Sequence, residues 1–105
     1  MPTFLITYDA AGPARHGLSA ALMQLGEAWA RPLETTWYVQ SAERAAALER
    51  RLAPHLASEE GLLIQEVDRE ALLTNTALRW FRRRRREVDN WSNVVAFPTA
   101  HPSAA

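Results

Sequence analysis

Cysteine is absent from this chain of 105 residues, which excludes a disulfide framework, a zinc–thiolate site and a thiol nucleophile. Lysine is absent too, so every one of the 12 basic side chains is arginine. Four glycines are too few and too scattered for a phosphate-cradling loop, and no HExxH pattern, nucleophile elbow or triad order is present. No apolar run approaches the roughly 18 residues a membrane span needs. No basic segment leads into an apolar one in the manner of a signal peptide, so the expected location is cytoplasmic, without integral membrane contact.

What is present is a chain with 48% apolar residues, enough for one small packed domain. The formal net charge of zero conceals a division. Residues 1–68 carry five arginines against nine acids, and residues 69–105 carry seven arginines against three. That split marks a basic appendage on a mildly acidic domain. The expected organisation is a domain over 1–68, a basic helix over 69–91 and a flexible tail over 92–105.

Thr3-Phe4-Leu5-Ile6-Thr7-Tyr8-Asp9 reads as a central strand, because neither of its alternating faces is strongly polar. Leu18, Leu22, Leu25 and Trp29 then recur at helical spacing over 14–30, and Pro13 suits a first helical turn. Gly26 weakens the last turn and offers an earlier end, which would pass Trp29 to the next strand. Residues 28–40 read as a hairpin, with a turn at Arg31-Pro32-Leu33-Glu34 and a β-branched and aromatic strand over Thr35–Gln40. Ser41 suits a helix N-cap, and Ala45, Leu48, Leu52 and Leu56 form a second stripe that Pro54 stops near Ala53. Residues 61–67 read as a last strand.

The order βαββαβ predicts an α+β, ferredoxin-like domain: a four-stranded antiparallel sheet with both helices on one face. The other face is then left for a second copy or for the tail, and a homodimer is expected. Leu73, Ala77, Trp80, Arg84, Val88 and Trp91 fall at helical spacing, which predicts an arginine-rich C-terminal helix over 70–89.

Tyr8-Asp9 closing the first strand, Thr35-Thr36-Trp37-Tyr38-Val39, Leu52-Ala53-Pro54-His55-Leu56 and Gly61-Leu62-Leu63-Ile64-Gln65-Glu66-Val67 resemble small bacterial proteins labelled SinR-like. These are similar in turn to the CRISPR-associated adaptation family of the second Cas protein. The resemblance covers residues 3 to about 68. It implies a ferredoxin-like homodimer whose strand-end aspartate, here Asp9, serves divalent-metal nuclease activity in some members, while others act as DNA adaptors. The chain departs from the adaptation family in having Ala10-Ala11-Gly12-Pro13 after that aspartate rather than a basic run. It also lacks that family's Gln-Tyr/Arg-Ser-Val-Phe hairpin signature, and its folded part is net acidic.

Asp9 has two readings, a cap or turn residue, or a Mg²⁺ ligand that would make it the catalytic residue of a metal-dependent endonuclease. His16 and His55 belong to no dense ligand pattern. Arg82, Arg83, Arg84, Arg85 and Arg86 suit phosphate contact with DNA or RNA, and Trp80, Phe81 and Trp91 suit base stacking. A solvated basic patch and an interfacial helix on anionic lipid are the other readings of the same run. The rival to a nucleic-acid role is a non-catalytic interaction module that docks a protein partner through the C-terminal helix.

Overall fold

A computed structural model describes residues 1–82, 87–88 and 94–97. Strand β1 (Thr3–Asp9) leads into helix α1 (Gly12–Leu25), the hairpin β2 (Ala28–Leu33) and β3 (Thr36–Gln40), helix α2 (Ala45–Leu52) with a 3₁₀ turn at Ala53–His55, and β4 (Gly61–Val67). The βαββαβ order is therefore present over the expected residues, and every pairing within it is antiparallel.

The sheet is larger than the four strands expected. Its order is β4-β1-β3-β2-β6-β7, where β6 (Trp80–Arg82) adds to the outer side of β2 and the two-residue β7 (Glu87–Val88) follows it. Strand β5 (Glu70–Leu72) pairs separately with β8 (Val94–Ala96).

The C-terminal helix expected over 70–89 is not formed: residues 70–72, 80–82 and 87–88 are strands. The helical spacing of Leu73, Ala77 and Trp80 coincides with a chain that has a better outlet. Residues 80–82 pair with Ala28–Ala30 of the otherwise open β2 edge, and Thr74-Asn75-Thr76 are weak helix formers. Asn75 takes a left-handed backbone conformation with φ of 57°, which asparagine tolerates better than most residues. Thr76 Oγ1 donates to the Pro32 carbonyl, tying this loop to β2.

Alternation along the strands separates two cores. Phe4, Ile6 and Tyr8 of β1 and Trp37 and Val39 of β3 face the helices, where they bury Leu18, Leu22 and Leu25 of α1 and Leu48 and Leu52 of α2. On the opposite face Ala30, Leu73, Leu78 and Phe97 are buried, with Tyr38, Val67, Ala71 and Trp80 packed against them. The segment after residue 68 thus covers much of the face left open in the sequence reading. Trp37 lies in the first core and the Tyr38 ring meets Phe97 at 4.6 Å in the second, so both aromatic side chains of β3 are engaged within the chain.

Helix α1 stops at Gly26 for a steric reason. A Cβ there would stand 2.3 Å from the Gln40 carbonyl oxygen, and the next residue, Glu27, donates its N–H to that oxygen at 2.8 Å. The close approach fixes where β2 enters the sheet, so Trp29 leaves the helix and becomes a strand residue. Pro32 lies inside β2 rather than in a turn. It is tolerated because β6 pairs only with Ala28–Ala30 and the β2–β3 register shifts between Ala30 and Leu33.

Candidate nucleic-acid interface

Phe81 and Trp80 are neighbours on one strand, so they point to opposite faces. Phe81 stacks on Trp29 with ring centroids 4.5 Å apart and planes 17° from parallel. Trp29 in turn meets the buried Trp37 ring at 5.2 Å and 48°. Both members of the outer pair are half-buried, which leaves part of each ring accessible. Arg31 lies on the same face of β2 as Trp29, with its guanidinium carbon 4.9 Å from the Trp37 ring centroid. The Glu34 carbonyl accepts from Arg31 Nε at 2.9 Å and also from its Nη2, which holds the cation in place.

Trp80 belongs instead to the second core, against Leu78 and Ala30. The structure therefore separates the two aromatics that the sequence grouped together, and it gives Phe81 a partner the sequence did not single out. Trp29 was legible as part of an apolar stripe or, past Gly26, as a strand residue. Its stacking role depends on β6 pairing with β2, residues about fifty positions apart, and no local signal encodes that. Arg82 is exposed at the end of β6, opposite Ala28. Arg83, Arg84, Arg85, Arg86 and Trp91 lie outside the described residues, as do residues 92–93 and 98–105 of the tail.

Asp9 ends β1 opposite Gly61 and is exposed. It does not cap α1, whose N-cap is Ala11 with no side-chain cap hydrogen bond. Its carboxylate has no hydrogen-bond or ion-pair partner among the described residues. The nearby Glu60 is committed, accepting from the Ala11 N–H at 3.2 Å and the Ala57 N–H at 2.7 Å. Among the described residues no group of three or more potential ligands converges on a metal position. Asp9 is thus a single exposed carboxylate among the described residues, and no catalytic step is assigned to it.

His16 is exposed on α1, and the His55 ring lies over Gly17, where an added Cβ would come within 2.8 Å of its Nδ1. Burial pushes the Tyr38 hydroxyl above its ordinary value of 10.0. No helix among the described residues is long and apolar enough to cross a membrane. No family model, curated protein or solved structure matches the chain.

Proposed function

We propose that this chain is a nucleic-acid-binding domain of ferredoxin-like architecture, akin to the SinR-like and CRISPR-adaptation proteins, and that it engages single strands. The βαββαβ order and the sheet order β4-β1-β3-β2 support the architecture, with β6 and β7 as an extension. The observation that carries the functional reading is the half-exposed Trp29–Phe81 stack, with Arg31 on the same face of β2. A base has a π-face whatever its identity, so such a platform takes single strands with little sequence preference. Arg82 and the arginines that follow it in sequence supply phosphate contacts that position the strand without reading it. Binding, rather than metal-dependent cleavage, is the activity adopted, because no group of three or more potential ligands gathers at Asp9 among the described residues.

A fluorescent single-stranded oligonucleotide titrated at several salt concentrations tests this. At about −0.7 in log K per log salt for each phosphate neutralised on a single strand, five arginines give a slope near −3.5. Replacing Arg82–Arg86 by Gln flattens that slope. Phe81→Ala weakens single strands by about 1–3 kcal/mol and duplex far less. Trp80→Ala lowers stability without that selectivity. Undetectable binding at physiological salt, or equal losses on both substrates with Phe81→Ala, would sink the reading.

A further inference from the structure

Strand β4 is seven residues long and, among the described residues, stands at the edge of the sheet, paired on one side only, with β1. Edges of this length are ordinarily blunted by lysine, proline or a bulge. Gly61–Val67 contains no proline and no basic residue, and its β1 register runs unbroken from Thr3↔Val67 to Asp9↔Gly61. Its one charge, Glu66, is taken by Arg44 at 2.9 Å.

The backbone groups available on this edge follow from the pairing. Tyr8 donates its N–H to Thr35, and Pro2 accepts from Ser41, so the even-numbered residues of β1 direct their hydrogen bonds toward β3. The odd-numbered ones therefore bond to β4 at Gly61, Leu63, Gln65 and Val67. That leaves the N–H and C=O groups of Leu62, Ile64 and Glu66 facing outward. Beside them, on the helix face, a cleft of about 270 Å³ opens between α2 and β4, lined by Ala45, Ala46, Glu49, Leu62 and Ile64. Its small alanines leave room for side chains arriving on an added strand.

We propose that this edge receives a second copy of the same chain, β4 against β4, antiparallel across a two-fold axis at Ile64. In that register all seven residues pair. Ile64 meets its counterpart, Leu62 meets Glu66 and Leu63 meets Gln65. The outward groups of Leu62, Ile64 and Glu66 from each copy satisfy one another, and no charge opposes its like. A two-residue slip toward Gly61 sets Glu60 against Glu66, which is unfavourable. A one-residue slip turns the apolar rows to the wrong faces. The strand is thus complementary to itself over its full length in this register, which favours a second copy over an unrelated peptide. In this dimer three inter-strand spacings, about 14 Å, separate the two Asp9 positions across the sheet alone, too far for one shared metal ion.

Light scattering on the full chain at micromolar concentration is expected to give about twice the 11.8 kDa chain mass. Pairing Leu63→Arg with Gln65→Arg sets like charges opposite each other on both sides of the axis and yields monomer. Pairing Leu63→Arg with Gln65→Glu sets opposite charges together and keeps the dimer. Both positions are exposed, so circular dichroism of each variant should match wild type. Amide exchange supplies a second readout: Leu62, Ile64 and Glu66 are protected in wild type and lose protection in the doubly arginine variant, while Leu63 and Gln65 stay protected in both. A monomeric wild type, a dimer that survives the doubly arginine variant, a monomeric charge-paired variant, or free exchange at Leu62, Ile64 and Glu66 in the dimer would each overturn the proposal.

Discussion

Gly26→Ala is expected to destabilise the fold by about 2 kcal/mol, although alanine is the better residue almost everywhere else. Gly26 has φ of −131° and ψ of −161°, an extended conformation open to any residue. Backbone strain is therefore no part of the effect, and the smaller unfolded-state entropy of alanine would by itself favour the variant by about 0.4–1 kcal/mol. The opposing term is contact. The new Cβ would lie 2.3 Å from the Gln40 oxygen, 2.8 Å from Val39 Cγ1 and 3.1 Å from the Gln40 carbonyl carbon. Two of those atoms are backbone and cannot rotate away, so the α1–β2 junction must move back from β3. Overpacking of this kind costs about 1–3 kcal/mol, and stretching the Glu27–Gln40 hydrogen bond adds about 0.5–1.5 kcal/mol. The midpoints of those ranges, about 2 and about 1 kcal/mol, exceed an entropic gain of about 0.7 and leave a net loss of about 2 kcal/mol.

Urea unfolding followed by tryptophan fluorescence measures the difference. With a slope of about 1–3 kcal/mol per molar urea, the midpoint falls by roughly 1 M. Gly61→Ala is the control, because a Cβ there meets nothing within 4 Å, and it should shift stability by no more than about 0.5 kcal/mol. Since the junction also sets where Trp29 enters β2, Gly26→Ala should weaken single-strand binding along with stability. An unchanged or raised midpoint would refute the steric argument.

Three further outcomes follow from buried or unpartnered groups. Thr3 is fully buried and its Oγ1 has no hydrogen-bond partner among the described residues; Thr3→Val should raise stability by about 1 kcal/mol in the same urea assay by removing an unsatisfied hydroxyl. Tyr38 holds its proton more tightly folded than unfolded, so its contribution is complete below pH 10.0 and is lost as pH rises through the higher folded value. Thermal melts at rising alkaline pH should show a decline that Tyr38→Phe lessens. Asp9→Asn should leave the fold, the oligomeric state and oligonucleotide affinity unchanged, as its exposed and unpartnered carboxylate implies. Cleavage of DNA or RNA with Mg²⁺ or Mn²⁺ that this substitution abolishes would instead make Asp9 catalytic.

The first two-thirds of the fold could be read from local pattern because its determinants are local. The β-rich run Thr3–Asp9 and the apolar run that follows the turn over residues 58–61 placed those strands to the residue. Gly26 and Pro54 marked helix ends that the structure keeps, although Ser41 accepts a hydrogen bond from the Glu43 N–H at 3.0 Å in a turn ahead of α2 rather than capping it. The remainder depends on non-local pairing. Residues 70–82 have a pattern compatible with a helix, and the open β2 edge and the bare second face of the sheet decide against it. The same dependence hid the Trp29–Phe81 stack, whose two rings meet only when β6 lies beside β2.

The two-sided core has a consequence for how the chain is made. Every residue of the helix-side core lies before β5 in sequence, so that layer can close as soon as β4 clears the ribosome. The opposite layer waits for Leu73, Leu78 and finally Phe97. At about 5–20 residues per second, the roughly thirty residues between Val67 and Phe97 take a few seconds to synthesise. Until Leu73, Leu78 and β6 arrive, Ala30, Tyr38 and Val67 form an uncovered apolar surface next to an unpaired β2 edge. A chain cut short before Leu73 should therefore be taken up more readily than the full chain by chaperones that bind extended apolar segments.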